Sequence, residues 1–200
     1  SCAGRTVVCV PATGPFPHRT FGVLLHPSSL PGRDRIGTVG APAHRFLDWL
    51  TTTGAGVWQI LPLTINGRFD SPYFSASTFA GNLWLVDLEG LGDAGLLDHD
   101  AVTEALHEHD LDASIAFDEM RIRKWPLLWE AAERFLADPG HEWQADFVAW
   151  CARSTWLDDD CTFFAIKDQQ HGATWWEWPE RLRRHDADAV ATARVELADT

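Results

Sequence analysis

Phe21-Gly22-Val23-Leu24-Leu25, closed by His26-Pro27, and Val57-Trp58-Gln59-Ile60-Leu61-Pro62-Leu63 are the stretches on which the fold turns. Each is a short apolar run bounded by turn residues, which reads as a buried strand. Between them, Ser28-Ser29-Leu30-Pro31-Gly32 is turn chemistry. Pro42 then makes a good first helical residue, and Phe46, Leu47 and Leu50 recur at helical spacing. Gly54 stops that helix where a left-handed residue is usual. Strand, helix and strand in succession predict a βαβ unit, hence parallel strands covered by a helix.

Beyond Leu63 the pattern changes. Residues 64–83 form a long loop rich in Ser, Thr, Gly and Asn that also carries Phe69, Tyr73, Phe74 and Phe79. A loop of that length is usually functional or disordered, and its aromatics favour an ordered binding loop. A short apolar piece, Leu83 to Leu88, closes it. From residue 91 onward helical patterns cover 99–109, 117–137, 141–153, 155–170 and 179–198. Pro126 predicts a kink or a first turn in the second of these. Trp143, Phe147, Trp150 and Cys151 repeat as one apolar stripe, and Trp129, Trp143 and Trp150 are assigned to the core. Residues 1–20, with Pro11, Pro15 and Pro17, read as a leader or loop. The chain thus divides into 1–20, a βαβ start over 21–90, and a helical block over 91–200.

Composition narrows the function. The chain has 200 residues, enough for one domain or part of a larger one. It carries 29 acidic against 16 basic side chains, a formal charge of −13, which disfavours a nucleic-acid partner. No run approaches the ~20 apolar residues of a membrane helix, so no membrane partner is expected. The hydrophobic fraction, 46%, is that of a globular protein and excludes disorder. Cys2, Cys9, Cys151 and Cys161 show no metal or redox spacing, and the last two read as buried thiols. His107 and His109 do not share a helix face and HExxH is absent, so no metal is predicted. Asp158-Asp159-Asp160 reads as a helix start that favours the dipole and caps amide groups. Neither GxSxG, GxGxxG nor a phosphate-binding P-loop occurs, and no cofactor is expected.

Asp70-Ser71-Pro72-Tyr73 is the most suggestive chemistry. It follows a predicted parallel strand, and ligands of α/β folds gather at the strand carboxyl ends. A carboxylate, a hydroxyl and an aromatic ring suit a neutral sugar, because the ring covers an apolar face while the polar groups bind hydroxyls. The competing reading is a structural turn, with Pro72 setting its geometry and Asp70 capping it.

Several segments together resemble the amylomaltase or disproportionating-enzyme type of 4-alpha-glucanotransferase, glycoside hydrolase family 77. They are Gly22-Val-Leu-Leu-His-Pro-Ser-Ser-Leu-Pro-Gly32, Trp58-Gln-Ile-Leu-Pro-Leu63, Asp70-Ser-Pro-Tyr73 and Phe79-Ala-Gly-Asn82. Lys124-Trp125-Pro126, Ala165-Ile166-Lys167 and Trp178-Pro179 continue the match, which covers about residues 21–185. The resemblance implies an α/β fold that starts a (β/α)8 TIM barrel. Its first two strands would be followed by a mainly helical insertion, leaving the barrel incomplete within these residues. It implies retaining double displacement on maltooligosaccharides or other alpha-1,4-glucans, without cofactor, in the cytoplasm. Tyr73 matches the aromatic that packs on the sugar beside the scissile bond, and Asp70, Ser71 and Asn82 match the rest of that loop. The family's catalytic carboxylates lie on later strands, so none is assigned here, and the chain is expected to be an N-terminal part that is inactive alone. Arg68 and Arg121 stand where the family has aromatics of a secondary glucan-binding surface, and Phe74-Ser75-Ala76-Ser77 replaces Gln-Ser-Phe-Ser. The alternatives are a non-catalytic or degenerate glucan-binding protein and, third, a helical interaction module on 91–200. Oligomeric state is left open.

Overall fold

The computed structural model describes residues 19–33, 36–66, 71–106 and 117–198. Strand β1 (Gly22–Leu24) lies parallel to β2 (Val57–Gln59), with Gly22 opposite Val57, Val23 opposite Trp58 and Leu24 opposite Gln59. A Cβ at Gly22 would come within 2.8 Å of Val57, so this close approach requires glycine. Helix α1 (Ala41–Thr53) makes the crossover that parallel pairing demands. Pro42 lies in its first turn, and Gly54, at φ 76°, ends it with its N–H on the carbonyls of Leu50 and Thr51. Phe46 packs edge-on against Trp58 of β2 at 4.9 Å, and Leu50 is buried. The expected βαβ unit is therefore present. Its strands are shorter than the apolar runs, because the chain leaves the ladder at Ile60 and Pro62 has no N–H to donate.

Past the loop, the described chain from residue 91 on is mainly helical, as expected. Its elements are α2 (Leu88–Asp93), α3 (His99–Ala105), α4 (Phe117–Ala137), α5 (Gln144–Arg153), α6 (Leu157–Gln169), α7 (Glu180–Arg183) and α8 (Ala187–Glu196). Helix α4 runs unbroken past Pro126, so that proline does not mark a first turn. The pattern over 179–198 divides instead. His185 takes φ 53°, and Asp186 caps α8 by accepting the Ala189 N–H at 3.0 Å. Helix α2 contains Gly90 and Gly92, poor helix formers that hid it from pattern reading; buried Leu88 holds it. His107 and His109 lie outside the described residues, as do Cys2, Cys9 and residues 1–18.

Three apolar clusters form the core. Leu88, Leu96, Leu97, Val102, Leu106 and Ala131 join α2, α3 and α4. Ile36, Trp84 and Met120 form a second cluster, and Ile166, Trp178 and Ala193 a third. The first two draw on residues from both sides of residue 90. Lys124 of α4 is 2% exposed and donates from Nζ to the Trp84 carbonyl at 2.9 Å, clamping the helix to residues 83–85.

Two core assignments need correction. Trp129, Trp143 and Trp150 are 45%, 42% and 38% exposed, whereas the buried tryptophans are Trp84 and Trp178. Periodicity shows that a helix has an apolar face, not that anything covers it. The stripe on α5 meets Phe135 through Phe147 at 5.2 Å and Trp156 through Trp150 at 5.9 Å. No residue of α5 is buried. Cys151 is likewise only partly buried and Cys161 is exposed, because α5 and α6 are covered on one side only. Among the described residues no helix is long and apolar enough to cross a membrane, and no group of His, Cys, Asp and Glu could hold a metal ion.

Exposed Phe21, Leu24 and Ile60 on the sheet, together with the α5 face, leave much apolar surface in water. Residues 1–200 expressed alone are therefore expected to bind a hydrophobic dye and to melt over a broad range. A sharp cooperative melt of a soluble monomer, without dye binding, would contradict this.

Candidate functional site

The two segments that leave the strand carboxyl ends come together. His26, immediately after β1, is buried. Its Nδ1 accepts the Ser28 N–H at 3.2 Å and lies 2.7 Å from Ser28 Oγ. Its Nε2 faces the Pro62 carbonyl at 3.4 Å, beyond β2. This network assigns a neutral ring that carries its proton on Nε2. Trp58 adds a second tie by donating from Nε1 to the Leu25 carbonyl at 2.7 Å. Burial pulls the His26 pKa below its ordinary 6.5, and the Pro62 carbonyl opposes this only in part. The sequence marked His26 only as the end of a strand; its tie to Pro62 is long-range and has no local signal.

The described parts of the segment after β2, residues 60–66 and 71–82, are tied to each other. Thr64 bridges Gly81 and Asn66 bridges Ser75 in antiparallel fashion. The Ile65 N–H donates to the Ala80 carbonyl and the Asn82 N–H to the Leu63 carbonyl, both at 2.8 Å. The far end is a tight turn over Ser71–Phe74, with the Phe74 N–H on the Ser71 carbonyl at 3.0 Å and Pro72 where its fixed φ suits the turn. Ser71 Oγ also accepts the Tyr73 N–H at 3.3 Å. Tyr73 is consequently presented on a braced backbone with 75% of its surface open to solvent. Phe74 and Phe79 are also exposed.

The four candidate sugar-binding residues are not equivalent. Ser71 and Tyr73 share one turn. Asp70 lies outside the described residues, as does Arg68. Asn82 is buried at the base of the loop. Its Oδ1 accepts the Trp84 N–H at 3.1 Å, capping the 3-10 turn Leu83–Leu85, and its Nδ2 donates to Asn66 Oδ1 at 3.2 Å. Arg121 sits on α4, paired with Asp118 at 3.0 Å and 5.9 Å from the Phe117 ring centroid.

The acidic run at the start of α6 also reaches this loop. Asp158, Asp159 and Asp160 occupy the first turn, where negative charge suits the helix dipole, but the cap position is Trp156 and no side chain caps the amides. The capping part of the sequence reading is thus corrected, since the helix begins at Leu157, two residues earlier than a cap at Asp158 requires. Asp159 instead pairs with Arg194 at 2.5 Å, and Asp160 accepts a hydrogen bond from Ser77. Phe79 stacks on Trp156 with ring centroids 5.3 Å apart and planes at 17°. Spacing alone could not have found these contacts between the loop and α6.

With that geometry in hand, comparison with known proteins is direct. The family model described as 4-alpha-glucanotransferase matches residues 25–200. The 4-alpha-glucanotransferase of Thermus thermophilus is 37% identical over 184 residues, covering 90% of this chain and 35% of that protein. The chloroplastic/amyloplastic 4-alpha-glucanotransferase of Arabidopsis thaliana is also 37% identical, covering 90% of this chain and 31% of its own length. Among solved structures, an amylomaltase from Streptococcus agalactiae in complex with acarbose matches with a TM-score of 0.81 at 33% identity. The match covers 91% of this chain and 36% of that one. This chain thus spans about a third of the length of the relatives it matches.

Two outcomes follow from the geometry. Asn82→Ala removes a cap and a side-chain bond within the loop, and should lower stability by about 1–2 kcal/mol in urea denaturation. An unchanged midpoint would deny the buried role. His26 has a lower pKa folded than unfolded, so the unfolded chain binds its proton first as pH falls. Its contribution is fully present above the ordinary value of 6.5 and is lost as pH falls through and below it. Urea midpoints at pH 7.5 and 5.5 should therefore converge for His26→Gln relative to the parent.

Proposed function

Because this chain belongs to the 4-alpha-glucanotransferase family, we propose that it supplies the first strands and the donor-side sugar loop of an enzyme transferring alpha-1,4-glucan segments to acceptor sugars. In this reading β1 and β2 are the first two strands of a (β/α)8 barrel, α1 is the helix on its outer side, and residues 91–200 are a helical insertion. The parallel pairing and the single helical crossover support it.

The chemistry is a retaining double displacement. One carboxylate attacks the anomeric carbon while a second protonates the departing glycosidic oxygen. The second then takes the proton from an acceptor sugar's hydroxyl, which displaces the enzyme carboxylate and restores the original configuration. Those two carboxylates belong to later strands, and residues 1–200 contribute none of them; alone they are inactive. What this chain contributes is the grip on the donor glucan. The Tyr73 ring covers an apolar sugar face beside the bond to be broken, while Ser71 and Asp70 bind its hydroxyls. Asn82 serves the same surface from beneath, by holding the loop through Asn66. No cofactor is needed, and the acidic balance of the chain suits a neutral substrate. We place the enzyme in the cytoplasm, a plastid being the compartment named for the Arabidopsis relative.

The observation that carries this reading is the open Tyr73 ring on a braced turn at the carboxyl edge of a parallel strand pair. Tyr73→Ala in the intact protein should weaken maltooligosaccharide binding about tenfold, within what one buried aromatic face contributes, with Tyr73→Phe close to the parent. Calorimetry showing equal affinity for all three would overturn the assignment.

A further inference from the structure

Ser77 is a buried hydroxyl in the loop that carries Tyr73. Its Oγ accepts two backbone amides, Phe79 N–H and Ala80 N–H, each at 3.0 Å. With both lone pairs used, its O–H has one remaining direction, and the Asp160 carboxylate of α6 fills it. The bond is charge-assisted, and it crosses from the loop to a helix 83 residues further along the chain. From Ser77 the support spreads back toward the turn. The Ser77 carbonyl lies 2.5 Å from Ser75 Oγ, the Ser77 N–H donates to that same oxygen at 3.2 Å, and Ser75 faces Asn66 across the antiparallel bridge. Tyr73 lies two residues before Ser75. On the other side Phe79 rests on Trp156, which itself meets Trp150 of α5 edge-on at 5.9 Å.

We propose that Asp160 is a positioning residue for donor glucan binding: it touches no substrate, but through Ser77 it locks the loop that presents Tyr73 to the start of α6. Asp159 pairs with Arg194, and the Asp158 carbonyl accepts the Thr162 hydroxyl at 2.6 Å. Asp160 bonds to the loop through Ser77. The helical block thereby shapes the sugar site without reaching it. This inference rests on the reading of Tyr73 as the sugar contact.

Two measurements on the intact protein test the two readings separately. Amide hydrogen exchange at Phe79 and Ala80 reports the Ser77 tie with no sugar present. Asp160→Ala should speed it about tenfold, while Asp160→Asn, which keeps an acceptor oxygen, should stay near the parent. Unchanged exchange in Asp160→Ala, or equal loss in both variants, overturns the proposal. In transfer assays Asp160→Ala should raise the donor KM about fivefold with kcat within about twofold, and Asp160→Asn should recover most of that loss. Adding Asp160→Ala to Ser77→Ala should cost nothing beyond Ser77→Ala itself, because Asp160 reaches the loop through the Ser77 hydroxyl. Additive losses, or a fall in kcat with KM unchanged, reject the positioning role. If exchange responds while Tyr73→Ala leaves binding unaltered, the sugar-site reading fails and the positioning role fails with it. If Tyr73→Ala weakens binding while exchange does not respond, only the Asp160 role falls.

Discussion

Parallel pairing of β1 with β2 is the constraint from which the rest of the structure follows. Two parallel strands cannot be joined by a tight turn, so the chain must cross over, and α1 packs its Phe46 onto Trp58 while doing so. The same pairing brings both strands to an end on one edge. His26 leaves β1 there and Pro62 follows β2 there, close enough for the imidazole to reach the proline carbonyl. The loop that carries Tyr73 is built beyond that edge.

The described parts of the loop that follows are held together without regular structure. Its backbone groups are met by two isolated bridges, by serine hydroxyls and by the Asn82 amide. Polar residues that looked like solvated loop composition are thus internal partners, and Ser77 and Asn82 are buried for that reason. Tyr73, Phe74 and Phe79 stay exposed on the same loop. The loop is held by satisfied polar groups rather than by a hydrophobic core. Lys124 repeats the theme inside α4, where a buried ammonium holds a main-chain carbonyl of the turn after the loop.

Local chemistry was readable where it was local. The strand pair, α1 with its Pro42 start and Gly54 stop, and the extent of α4 all follow from short-range patterns. The tight turn at Ser71–Phe74 likewise followed from Pro72 beside a serine. Reading failed where the outcome depended on what lies opposite in space. Trp129, Trp143 and Trp150 sit at apolar positions of their helices, yet no described element closes over them. Helix α2 was missed because Gly90 and Gly92 argue against it, while the burial of Leu88 overrides them. The place of Asn82 at the base of the loop, bonded to Trp84 and Asn66, likewise had no local signal.

The residue order alone determined the βαβ start, the helical block after it, the turn that holds Tyr73 and the family to which the chain belongs. Each depends on interactions spanning a few residues or on motifs kept in register along the chain. Only the tertiary structure decided that His26 ties two strand ends together, that Lys124 is buried, and that Asp160 serves the loop rather than its own helix. Those outcomes join residues 36, 40 and 83 positions apart. Whether a carboxylate at a helix start caps an amide, pairs with an arginine or holds a distant serine depends on which neighbours packing delivers. That is a property of the assembled surfaces, and no window of sequence contains it.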